Sequence, residues 1–149
     1  MNIVFHALLG TLIAELMGMT AIPYILVAVL LSVLPDFDHV QYLTKALRTR
    51  RFGPESRTLL HEFIGIPIVV SISIIINLVY SYPFMTAILC GLSHFAVDFL
   101  TRPFRPLHPF SNKTVDLSIY PRNLRKMFVT DTALTAILCM LVAVVTFSH

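Results

Sequence analysis

Apolar residues run nearly unbroken through three stretches of the chain, and the polar positions gather between them. Residues 2–35 carry one charge (Glu15), residues 63–100 carry none before Asp98, and residues 132–147 carry none. Length then decides what such stretches can be, because a helix crossing a bilayer needs roughly 20 predominantly apolar residues. The first stretch holds two short helices, the second a helical hairpin and the third a last span, slightly short unless Phe128 and Val129 join it. Ser81-Tyr82-Pro83 divides the second stretch near its middle. Thr20-Ala21-Ile22-Pro23 divides the first, with Pro23 suited to the opening turn of a second helix. The pattern predicts one all-α integral membrane domain over residues 1–149, a helical bundle of about five spans. These fall near residues 3–19, 22–35, 63–81, 83–100 and 130–147, joined by loops 36–62 and 101–129. Tyr120-Pro121 breaks the second loop, and residues 123–128 are expected as a short basic interfacial helix.

Composition supports the lipid environment. Of 149 residues, 56% are hydrophobic and 13% charged, against about a quarter charged in an ordinary soluble domain. The N-terminus lacks a basic region and its apolar run exceeds a signal-peptide core, so it reads as a retained span. Cys90 and Cys139 both fall inside predicted spans, without metal or disulfide spacing, and read as small buried apolar side chains.

The basic residues set an orientation. Lys45, Arg48, Arg50, Arg51 and Arg57 lie in one loop; Arg102, Arg105, Lys113, Arg122, Arg125 and Lys126 lie in the other region; none lies elsewhere. Lys and Arg in short loops stay in the cytoplasm, so both loops and the N-terminus are expected inside an inner or plasma membrane. Topology alone accounts for these charges, and no nucleic-acid motif accompanies the net charge of +3.

That topology gathers the ionisable groups at the cytoplasmic end of the bundle. His6 starts the first span; Asp36, Asp38 and His39 follow Pro35 as the second emerges. His61 and Glu62 precede the third span, His94 and Asp98 end the fourth, and His108 lies in the loop beyond. His94 and Asp98, four residues apart, share one helix face and have workable metal-ligand spacing. The spacing equally suits an Asp that orients a ligating imidazole. Asp36 and Asp38 crowd two carboxylates into one turn, which a cation would hold ionised together; helix capping is the plainer alternative. Taken together, the mixed imidazole and carboxylate donors suit zinc, manganese or iron, with zinc foremost and one or two ions. Glu15 stands apart near the middle of the first span, with protonation, Ser73, Asn77 or a water-filled cavity as ways to satisfy it.

The motifs also occur in a telling order. His6 is followed by Leu34-Pro35-Asp36-Phe37-Asp38-His39 and a basic segment ending in His61. Gly91-Leu92-Ser93-His94 then leads through Asp98 to Thr101, and Pro109-Phe110-Ser111 follows. Over about residues 1–115 this resembles the YdjM-like family, described as membrane-bound metal-dependent hydrolases. The resemblance implies a multi-helix membrane protein with metal-dependent hydrolase activity. It also implies a distant likeness to zinc-dependent phospholipase C, whose ligands include a His-x-x-x-Asp helix. By that likeness His94 and Asp98 are ligands, completed by His6, Asp36 or Asp38, and His61. Three positions depart from the family pattern. Ser56 replaces the first His of His-Arg-Gly-x-Thr-His-Ser and Glu62 its last Ser, so one ligand is missing or Glu62 replaces it; His108 stands where an aromatic residue is common.

As an enzyme, the chain is expected to hydrolyse a phosphoester of a membrane lipid, or a similar small molecule, at the inner leaflet through metal-activated water. Glu62 or an unligated Asp38 would serve as base. Arg57, Arg102 or Arg105 would hold the phosphate, with His39 and His108 as further substrate-side candidates. Ser93 beside His94 makes no nucleophilic dyad, because adjacent helical residues point about 100° apart. A metal or proton transporter is the rival, and would spread polar groups through the full depth instead of one face. A structural membrane protein would bind no metal.

Overall fold

Each helix begins or ends on a residue that explains it. The chain forms α1 (Ile3–Leu16), α2 (Ile22–Val33), α3 (Gly65–Tyr80), α4 (Phe84–Thr101) and α5 (Leu124–Ser148), with a 3-10 turn over Leu34–Asp38 after α2. The Asn2 side chain accepts the Phe5 N–H at 2.8 Å and caps α1. Gly18, at φ +77°, makes the left-handed step out of α1 that a side chain would resist. Pro23 lies in the first turn of α2, where its missing N–H costs nothing. Ser81 stops α3 in the left-handed conformation, and the Asn77 side chain donates to the Tyr82 carbonyl at 2.7 Å across the turn. Pro35 ends α2 as expected, but Leu34 keeps right-handed helical angles and the chain tightens into the 3-10 turn.

This computed structural model describes residues 2–38, 62–101, 103–106, 110–111, 113–117, 119–121 and 123–148. His39, His61, His108, Arg57 and Arg102 lie outside the described residues, as does the side chain of Asp38.

Contacts between helices fix their relative directions. The His6 ring stacks on His94, and one turn on, Cys90 Sγ donates to the Gly10 carbonyl at 3.7 Å, so α1 and α4 run antiparallel. Tyr82 Oη donates to the Tyr24 carbonyl and Ser32 Oγ to the Cys90 carbonyl, which makes α2 and α4 parallel. Asn2 pairs with Thr135 and Glu15 with Thr146, so α5 runs parallel to α1. The core between them holds Ala14, Ala28, Leu31, Tyr82, Ala87 and Cys90.

Small residues let α1 meet α2 closely. Gly10 and Ala14 on one helix face Ala28 and Ser32 on the other, each pair spaced by four, which suits close backbone approach between apolar helices. A Cβ on Gly10 would lie 2.3 Å from Ser32 Oγ and 2.8 Å from the Ala28 carbonyl oxygen. The hydroxyl can rotate away; the backbone carbonyl can not. Gly10→Ala should therefore cost about 1–3 kcal/mol, read as a lower unfolding temperature in detergent. Unchanged stability would mean that the seam is loose.

Two helices, α4 and α5, are long and apolar enough to cross a membrane. They differ in their surroundings: 39% of the apolar window of α4 is buried within the protein, but only 6% of that of α5. Helix α5 thus presents apolar side chains such as Ile137, Met140 and Val144 outward along its length. Cys139 lies on this exposed helix, unlike the buried Cys90, so the expectation of two buried cysteines holds for one. Helices α1, α2 and α3 have 14, 12 and 16 residues, roughly 18–24 Å at 1.5 Å per residue. Helix α5 starts at Leu124, not near residue 130, so Arg125 and Lys126 form its first turn and there is no separate interfacial helix.

Candidate metal centre

His6 lies in the first turns of α1, His94 and Asp98 on the last half of α4, and Asp36 in the 3-10 turn that Pro35 sets up. The antiparallel register of α1 and α4 brings the two histidines level. Their rings stack with centroids 3.8 Å apart and planes inclined by 24°. His6 Nε2 is 3.5 Å from Asp98 Oδ1. His94 Nε2 is 3.8 Å from both Asp36 Oδ1 and Asp98 Oδ2. His6, His94 and Asp98 are all buried, and the side chain of Asp36 keeps 11% of its surface exposed, marking the open rim.

The hydrogen bonds assign the histidine atoms. His94 Nδ1 lies 2.7 Å from the Ser32 carbonyl oxygen, which can only accept. Nδ1 therefore carries the proton, and Nε2 turns its lone pair toward the carboxylates, the arrangement that a backbone carbonyl imposes on metal-binding imidazoles. His6 is the sharper case. It is 1% exposed, yet neither ring nitrogen has a hydrogen-bond partner among the described residues. Buried polar side chains nearly always find a partner, and leaving one unmade costs about 1–3 kcal/mol.

A divalent ion fits this arrangement. One donor atom each from His6, His94 and Asp98 lies within 4.8 Å of the others. Ligands at 2.0–2.2 Å around a tetrahedral zinc stand roughly 3.3 Å apart, so a small inward movement suffices. Two imidazoles with carboxylate oxygen are donors for zinc, manganese or iron ahead of calcium or magnesium.

Other expected site residues fall elsewhere. Glu62 is fully buried at the entrance to α3, and both of its oxygens are engaged by Arg105. Arg105 Nε donates to Oε1 at 2.8 Å and its backbone N–H to Oε2 at 2.7 Å. The proposed base and one proposed phosphate clamp are thus partners of each other. Beside them Phe63, Phe99 and Phe104 stack, with Phe63 and Phe104 each about 5 Å from Phe99 (5.1 and 4.6 Å between centroids). Glu15 lies in the last turn of α1, not mid-helix, and accepts from Thr146 Oγ1 at 2.6 Å. Its expected partners are engaged otherwise: Ser73 Oγ donates to the Val69 carbonyl and Asn77 to that of Tyr82. Ser93 Oγ donates to the Cys90 carbonyl, away from any dyad with His94.

Ser32 is the residue of this cluster that the sequence did not single out. Its carbonyl sets the His94 tautomer while its hydroxyl ties α2 to α4. A lone serine in an apolar helix, one turn ahead of Pro35-Asp36, was the available signal.

The chain belongs to the YdjM inner membrane protein family, which matches it over residues 1–149. No curated protein and no solved structure matches it.

Proposed function

We propose that this member of the family is a membrane-embedded, metal-dependent hydrolase of phosphoesters, with His6, His94 and Asp98 holding one divalent ion, zinc foremost. The observation that carries the reading is His6: a buried imidazole whose two nitrogens lack hydrogen-bond partners among the described residues, stacked against a second imidazole and next to a carboxylate. Folding such a group into an apolar bundle is costly unless something else binds it. When bound, zinc would lower the pKa of a coordinated water to about 7.

The chain's own groups supply the rest. Ser32 fixes His94 in the tautomer that presents Nε2. Asp36, at the exposed rim, is the carboxylate placed to take a proton from entering water. Glu62 holds Arg105 and so shapes the loop beside the site. All five helices traverse the bilayer in this reading, and the basic loops put the N-terminus and the centre on the cytoplasmic side.

The test is elemental analysis of the detergent-purified chain, paired with hydrolysis of a phosphatidic-acid-like phosphoester before and after chelation. Near-stoichiometric zinc, manganese or iron is expected, with turnover that chelation removes and metal restores. A chain without metal after reconstitution with these ions would sink the proposal. One observation favours the rival transporter: Glu15 is a further buried acid, at the opposite end of α1 from His6, with Oε2 lacking a hydrogen-bond partner among the described residues. Proteoliposomes that take up metal only when Glu15 is intact would make transport the better reading.

A further inference from the structure

A cleft of about 80 Å³ opens between the 3-10 turn, α3 and α4, lined by the sequence neighbours of Asp36 and His94 and not by the cluster itself. Leu34 and Pro35 form one wall, Gly65, Ile68 and Ile72 of α3 another, and Phe95 of α4 the back. Every lining side chain is apolar, so water inside would find few hydrogen-bonding partners. The cleft is tied to the candidate centre at two points. Pro35 immediately precedes Asp36, and Phe95 immediately follows His94, its ring 5.9 Å from the imidazole. Gly65 leaves its wall without a side chain, and Ile68 is 39% exposed at the rim, so the approach is along the flank of the bundle.

We propose that this cleft receives the hydrocarbon chain of an amphiphilic phosphoester whose head group lies at the His/Asp cluster. The inference rests on the hydrolase reading of that cluster and adds the subsite that holds the substrate's tail. An apolar cleft whose back wall, Phe95, packs edge-on against His94 suits a molecule that has both a hydrocarbon tail and an anionic head. A soluble phosphoester would use the cluster and leave the cleft idle. In a membrane protein the flank of the bundle meets acyl chains, the most abundant source of such tails. A chain that leaves the bilayer for the cleft exchanges one hydrocarbon environment for another, with little hydrophobic gain. The cleft therefore positions the head against the centre by holding the tail, and the property to measure is location, not affinity.

Photolabelling measures location. The full chain in nanodiscs is irradiated with an octyl phosphonate that carries a diazirine at its chain end, and the labelled residues are mapped by mass spectrometry. Label is expected on Leu34, Ile68, Ile72 or Phe95. Ile68→Trp narrows the cleft from its exposed side and should lower that labelling about tenfold, the scale on which a pocket rejects a misfit. Ile72→Ala enlarges the cleft from within and should move the label deeper, toward Val69 and Phe95, which gives a second reading should the Trp variant not fold. Label spread along α5 at Ile137, Met140 and Val144, unchanged in both variants, would overturn the subsite. The two proposals fail separately. Cleft labelling in a chain that holds no metal keeps the subsite and removes the hydrolase; metal-dependent turnover with no cleft labelling removes the subsite alone.

Discussion

His6→Phe should stabilise the metal-free chain while abolishing its response to metal. The imidazole of His6 is buried at 1% exposure, with no hydrogen-bond partner for either nitrogen among the described residues and only a long 3.5 Å approach from Nε2 to Asp98. An unsatisfied buried polar group costs about 1–3 kcal/mol, and phenylalanine removes that cost with a ring that can keep the stack on His94. The native chain should gain about 2.7 kcal/mol from metal at a hundred times its dissociation constant. The variant, with a ligand gone, should gain essentially nothing. Unfolding in detergent with and without zinc separates the two effects. A polar cluster kept only for packing predicts the reverse: loss of stability on substitution and no metal response in either protein. Stability gained by discarding a functional group is the usual sign that a site is maintained for function.

How much of this was legible in the sequence depends on distance along the chain. Helices announced themselves because their signals are local: Pro23 opens α2, Pro35 closes it, and Ser81-Tyr82-Pro83 separates α3 from α4. His94 and Asp98 were readable as a pair because four residues make one helical turn. His6 joined them only through topology, which placed the start of the first helix level with the end of the fourth; its stacking on His94 bears that out. What the sequence hid were pairings with no periodicity behind them. Ser32 holds His94 across 62 residues, and Glu15 meets Thr146 across 131. The latter pairing depends on α1 and α5 running parallel side by side, and no local pattern announces which helices become neighbours. Glu15 also looked central because the first apolar run continues past the helix; Gly18 ends the helix earlier than hydropathy suggests.

Glu62 was the other residue whose surroundings the sequence could not supply, and its substitution carries the second large expected effect. Its neighbour His61 and its place in a family motif suggested a base, but its carboxylate is enclosed and bound at both oxygens by Arg105, 43 residues on. A base must exchange a proton with water or substrate, whereas this carboxylate is held where neither oxygen is exposed. Glu62→Ala should remove the buried carboxylate that holds both the Arg105 Nε and its backbone N–H. Removing one partner of a buried pair costs about 3–5 kcal/mol; with the Arg105 side chain 26% exposed, the lower end, about 3 kcal/mol, is expected. Arg105→Met takes the cation from Oε1 but leaves the backbone N–H on Oε2, and should cost a comparable amount. The double variant should recover part of the loss, because the two groups contact each other and the second change no longer takes a cation from a buried carboxylate. Metal content is the discriminating measurement. It should be unchanged in Glu62→Gln, which keeps one acceptor and the shape of the contact, and hydrolysis should fall only as far as stability does. If Glu62→Gln keeps native stability and full metal yet loses turnover, the carboxylate exchanges Arg105 for a catalytic partner during the reaction, and the ion pair is its resting state.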